Sequence, residues 1–147
     1  MDDFETKKLN IKKNGEVKTF SVPTDLVKVE ENITPSVNSE FKLSKQEIIN
    51  KAFKFHSQGN KKEAAKYYQY FINCGFKDYR VYSNYGSILK VFGQLKHALK
   101  LFSKSIEINP NFADGYSNIG IIFKDLGKLE EAELFFIKAI ELDPNSA

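Results

Sequence analysis

The chain has 147 residues, of which 41% are hydrophobic and 28% charged, and its net charge is +3. This length and balance suit one globular domain plus a tail, and the single Cys74 excludes an internal disulfide framework. The acidic opening Met1-Asp2-Asp3-Phe4-Glu5 lacks the apolar core of a secretory signal, and no apolar run approaches the roughly 20 residues that span a bilayer, so a cytoplasmic protein with no membrane partner is expected.

Residues 1–43 differ in texture from the rest. Leu9-Asn10-Ile11 and the run from Val17 to Val22 flank Asn14-Gly15, a dipeptide suited to a two-residue hairpin turn. Pairing Leu9 with Phe20 sets Ile11 opposite Lys18, a poor apolar match, and two strands alone are marginal in water. Pro23, Asn32, Pro35, Asn38 and Ser39 then interrupt the chain. This segment reads as a disordered or extended arm, or a weak hairpin, followed by a linker.

Ser44 opens the next region, residues 44–147, because its hydroxyl and the carboxylate of Glu47 are spaced for a capping box at a helix start. From Lys45 onward one 34-residue unit is written three times, as 45–78, 79–112 and 113–146. Position 8 of the unit holds Ala52, Gly86 and Gly120, and position 15 holds Gly59, Gly93 and Gly127. Position 20 holds Ala64, Ala98 and Ala132, position 24 holds Tyr68, Phe102 and Phe136, and position 32 holds Phe76, Pro110 and Pro144. Apolar or small residues recur at helical spacing before each glycine, as in Tyr82, Tyr85, Gly86 and Leu89. A second apolar stripe follows it, as in Ala98, Phe102 and Ile106. Each glycine suits a left-handed helix end, and each proline disfavours helix in the residue before it. The unit is therefore a helix, a turn and a second helix.

The period and these columns resemble the tetratricopeptide repeat family, which covers about two thirds of the chain. The resemblance implies an all-α fold of three tandem helix-turn-helix repeats in a short right-handed superhelix. The first repeat departs from the pattern at Lys51, Phe71 and Phe76, as terminal repeats often do. No further polar-faced helix follows the third repeat up to Ala147. The expectation is a longer array, or an open face that packs on a partner or a second copy.

In such a superhelix the first helix of each repeat lines a concave groove. Position 6 is Asn50, Asn84 and Asn118, and each amide offers a donor and an acceptor to the backbone of an extended peptide. The column resembles the asparagine ladder of the O-linked N-acetylglucosamine transferase array. Its structural alternative is a hydrogen bond between neighbouring helices. Position 12 adds His56, Lys90 and Lys124, a line expected to be basic, and most so at mildly acid pH. Ile49, Ser83 and Ser117 at position 5, with Phe53, Ser87 and Ile121 at position 9, predict an apolar patch followed by a hydroxyl-rich floor. The family's site for chaperone C-terminal carboxylates is matched at Asn84 alone of five positions; Ile49, Phe53, Asp114 and Asn118 depart from it.

No catalytic or cofactor chemistry is expected. His56 and His97 fall far apart in the pattern, and no cluster has metal-ligand spacing. The glycines follow the repeat rather than a phosphate loop. Cys74 reads as a small packing residue, and Glu130, Glu131 and Glu133 suit a helix start. Counting Lys and Arg against Asp and Glu, the three repeats carry +4 (7 − 3), +4 (5 − 1) and −4 (3 − 7). This asymmetry, with a chain net of only +3, argues against nucleic acid and for an acidic peptide or end-to-end association.

The reading is a non-enzymatic protein-binding module that holds an extended, acidic segment on Asn50, Asn84, Asn118, Lys90 and Lys124. Two alternatives stand beside it. One is a substrate-presenting part of a larger or partner glycosyl-, methyl- or sulfotransferase, since the chain resembles leading repeat arrays of bacterial proteins. The other is a homo-oligomerisation module.

Overall fold

Serine and glutamate close the first helix as their spacing predicts: Ser44 Oγ accepts from the Glu47 N–H at 3.2 Å, and Glu47 Oε2 accepts from the Ser44 N–H at 2.8 Å. The computed structural model describes residues 6–13, 16–23 and 42–145. Six helices follow in pairs: α1 (Lys45–Ser57) and α2 (Lys61–Asn73), α3 (Tyr79–Val91) and α4 (Leu95–Ile108), α5 (Ala113–Asp125) and α6 (Leu129–Leu142). Within each repeat the two helices pack on one another, and α2 then meets α3 as α4 meets α5. The three repeats are thus the three helix pairs.

Ahead of them, β1 (Thr6–Lys13) and β2 (Glu16–Pro23) pair antiparallel, with Leu9 opposite Phe20 and Ile11 opposite Lys18. The backbone of β1 runs beside α6 and that of β2 beside α4. The expected Asn14-Gly15 turn and the linker over 24–41 lie outside the described residues.

The turns inside the repeats are three copies of one structure. Gly59, Gly93 and Gly127 have φ of 75°, 76° and 74°, a region that costs an L-residue about 1–2 kcal/mol. The N–H of the next residue reaches back to Phe55, Leu89 or Phe123 at 2.9 Å in every case. Gly93→Ala is therefore expected to lower unfolding stability by about 1 kcal/mol with no loss of helix at low denaturant. Urea titration followed by circular dichroism reads this out.

The repeats end in two ways. Asn109 and Asp143 turn extended before Pro110 and Pro144, with φ of −130° and −140°. The first repeat has Phe76 in place of proline, and there Gly75 ends α2 at φ 78°, its N–H bonded to the Ile72 carbonyl at 2.9 Å. Phe76 does different work. Its ring centroid lies 5.4 Å from that of the fully buried Phe71, so two of the three departures from the pattern form one aromatic pair.

Close packing explains the small residues. A methyl on Gly86 would sit 2.8 Å from the Phe102 ring, and one on Gly120 would sit 2.8 Å from Phe136. Position 8 therefore receives the ring of position 24 within the same repeat. Gly115 does the same between repeats, since a Cβ there would lie 2.5 Å from Ile106 Cγ2. The core runs unbroken from Ile48 through Phe102 to Phe135.

Candidate peptide-binding groove

Asn50, Asn84 and Asn118 sit at one position of α1, α3 and α5, so the fold lines them up one per repeat. Their surroundings differ. Asn50 is exposed, and its Oδ1 accepts from Gln46 Nε2 at 2.8 Å along the same helix. Asn84 hydrogen-bonds the hydroxyl of Tyr68, on α2 of the preceding repeat. Asn118 has Phe102 at the matching place in its preceding repeat, a ring with no hydroxyl to offer. Asn84 and Asn118 are both half-buried, so they differ in their neighbours rather than in exposure.

Tyr68 is the hub of the first two repeats. Its hydroxyl lies 2.8 Å from His56 Nδ1, and its ring is flanked by Phe53 at 6.2 Å and Tyr85 at 6.3 Å between centroids. Burial pushes the phenol up to about 12, against the Asn84 hydrogen bond, which acts the other way. Tyr68 therefore keeps its proton and donates to His56 Nδ1 when that nitrogen is bare. Burial, and then the charge of Lys61, hold His56 below the usual histidine range. The three residues expected to form a basic line at position 12 are not alike. Partial burial disfavours the charged form of His56, so the half-buried Lys90 and the exposed Lys124 are the stronger cations of that line.

The sign of the resulting pH effect follows from linkage. Because the folded state binds the His56 proton less readily than the unfolded chain, stability is full above about pH 6.5, the ordinary histidine value, and falls as pH drops below it. The fall levels off once pH passes below the folded value. His56→Gln is expected to flatten thermal midpoints across pH 7 to 5, while an equal slope in both proteins would contradict the assignment.

The other predicted groove residues divide by exposure. Ile49 and Ser83 are buried and withdrawn from contact with any ligand; Ile49 belongs to the core. Phe53 is half-buried under the Arg80 guanidinium, 5.5 Å above its ring, so the apolar patch expected from Ile49 and Phe53 is roofed. Ser87 spends its hydroxyl on the Ser83 carbonyl at 3.1 Å. Ser117 and Ile121 are half-buried beside Asn118 on α5. Sequence reasoning missed Tyr68 and Arg80 as parts of this wall. A signal existed, since position 24 is tyrosine only in the first repeat.

Among the described residues no group of three or more His, Cys, Asp or Glu side chains could hold a metal, and no helix is long and apolar enough to cross a membrane.

Three stacked helix pairs with matched turns define a helical-repeat protein. The family profile described as tetratricopeptide repeat matches residues 79–112 and again 113–146. Residues 79–112 and 113–146 are thus tetratricopeptide repeats, and 45–78 supplies a third helix pair of the same form. No curated protein sequence matches it. Among solved structures, the crystal structure of MamA is similar with a TM-score of 0.65 and 18% identity, over 69% of this chain and 59% of that one. The first such domain of Spaghetti (RPAP3), bound to the HSP90 peptide SRMEEVD, gives 0.64 and 23%, over 71% and 85%. The Yersinia enterocolitica type III secretion translocator chaperone SycD, in an alternative dimer, gives 0.64 and 20%, over 74% and 83%. At these identities the likeness is one of fold.

Proposed function

We propose that this chain is a protein-interaction module whose α1–α3–α5 wall binds an extended segment of a partner protein. The observation that carries this is the aligned amide column, in which Asn118 has no hydroxyl partner of the kind that Tyr68 gives Asn84. Asn118 and Asn50 contact the ligand backbone; Ser117 and Ile121 form the floor; Lys90 and Lys124 favour carboxylates. Asn84 stiffens the wall through Tyr68 and takes part only if that bond is exchanged. The peptide-bound RPAP3 domain supports the reading by fold alone, because Ile49, Phe53, Asp114 and Asn118 replace the residues of the family's carboxylate site.

A peptide array probed with the chain tests this, against the Asn50, Asn84 and Asn118 to Ala triple variant after circular dichroism has shown that it folds. Capture lost in the triple variant and also in Asn118→Ala alone supports the groove. Capture unchanged in both sinks it.

A second reading, self-association, is favoured by one contrast. Ile106 is 4% exposed against α5, whereas Ile140 at the same place in the third repeat is 56% exposed. A second copy covering that face would make light scattering concentration-dependent, and Ile140→Ser would abolish the dependence. Scattering that stays monomeric at all concentrations excludes it.

A further inference from the structure

Of the five large hydrophobic side chains that stand exposed among the described residues, four lie at the turns inside the second and third repeats: Val91 and Phe92, then Leu126 and Leu129. Their exposures are 60%, 46%, 50% and 65%. The turn does not require them. Gln58, Phe92 and Leu126 occupy the same helix-ending place with φ of −81°, −82° and −84°, and their N–H groups make the same bond at 3.1, 3.1 and 3.0 Å. A glutamine thus serves that turn as well as a phenylalanine or a leucine. Lys61 and Leu129 likewise begin their helices at one repeat position. Exposed apolar groups that recur at the turns of two successive repeats, and that the turn backbone does not need, point to an interaction surface.

Charge says what kind. The first two turns and the residues next to them present the exposed Lys61, Lys62 and Lys96, with no acidic residue within 57–62 or 91–96. Lys128 continues the line at the third turn, where Asp125, Glu130 and Glu131 put the negative charge of this edge at its far end. The edge is made of helix ends and has no free strand ladder, so an extended segment would gain no backbone pairing there; a helix brings its own backbone satisfied.

We propose that this turn edge, distinct from the concave wall, docks an acidic amphipathic helix of a partner protein. The apolar face of that helix covers Phe92 and Leu126, with Val91 and Leu129 at the margins, and its carboxylates face Lys61, Lys62 and Lys96.

The test uses the full chain and a synthetic amphipathic helix with leucines at i, i+3, i+4 and i+7 and glutamates on its flanks. A scrambled peptide of the same composition and phosphatidylserine vesicles serve as controls. Saturable binding of the ordered peptide is expected, weakening with salt and falling about tenfold or more in Phe92→Ser/Leu126→Ser. Asn118→Ala should bind it as the parent does. Both substitutions lie on exposed positions, and circular dichroism confirms that the variants fold. Equal binding of the scrambled peptide, binding that survives the double substitution, or no saturable binding overturns the proposal. Binding to the vesicles with none to the peptide also overturns it, in favour of a lipid surface. Loss of binding in Asn118→Ala but not in the turn variant would assign the peptide to the groove instead.

Discussion

Phe102→Ala is expected to cost about 3–5 kcal/mol, the usual range for emptying a buried aromatic site. The ring is fully buried, and it fills the space that Gly86 leaves open at 2.8 Å. Relaxation there is limited because α3 and α4 already touch through that glycine. Small domains carry only about 5–15 kcal/mol in total, so the variant should sit close to its unfolding midpoint near body temperature. Gly86→Ala attacks the same contact from the other side and should cost about 1–3 kcal/mol by overpacking. Phe102→Leu should partly rescue Gly86→Ala, because the two residues share one space and their effects are not additive. Denaturant unfolding of the four proteins measures this. Simple additivity would show that the ring and the glycine are not coupled as the packing requires.

The second large effect is expected at Gly115. Its neighbours are Ile106 Cγ2 at 2.5 Å, Phe112 at 2.8 Å and Ser105 Oγ at 3.2 Å from where a Cβ would stand. Two of these belong to α4, so Gly115→Ala pushes the third repeat off the second. Repeat arrays are stabilised largely by such neighbour interfaces, and a loss of about 1–3 kcal/mol should fall unevenly along the chain. Hydrogen exchange is expected to quicken across α5 and α6 first, with α1 and α2 little changed. Uniform quickening in all six helices would mean that the array unfolds as one unit.

Gly115 also shows where sequence reasoning stops. Its repeat position holds Glu47, Val81 and Gly115, three unlike residues, so no column announces it. The requirement is set by Ile106 on another helix and appears only when α4 and α5 are placed together. The matched columns were legible because their causes are local: a left-handed glycine at each inner turn, a proline after an extended residue, a small residue under an aromatic ring in the same helix pair. Gly75 was missed as the end of α2 because proline was sought at position 32, and the first repeat stops by a different device. In the groove, the asparagine column was read directly, but its inequality was not. Asn84, Tyr68 and His56 come from two repeats, and their meeting depends on how α2 and α3 pack. Ile49 lies in the core although its repeat position places it in the groove, and the residues that bury it are not legible from that one column.

The most direct test of the binding wall is the side-chain amide resonance of each asparagine, followed by nuclear magnetic resonance while a captured segment is titrated into the chain. The Asn118 amide should shift with saturation, Asn50 should follow it, and Asn84 should move less because Tyr68 already holds it. Saturable binding that leaves Asn50 and Asn118 unmoved, with shifts confined to Phe92, Leu126 and their turns, would contradict a groove that reads peptide backbone.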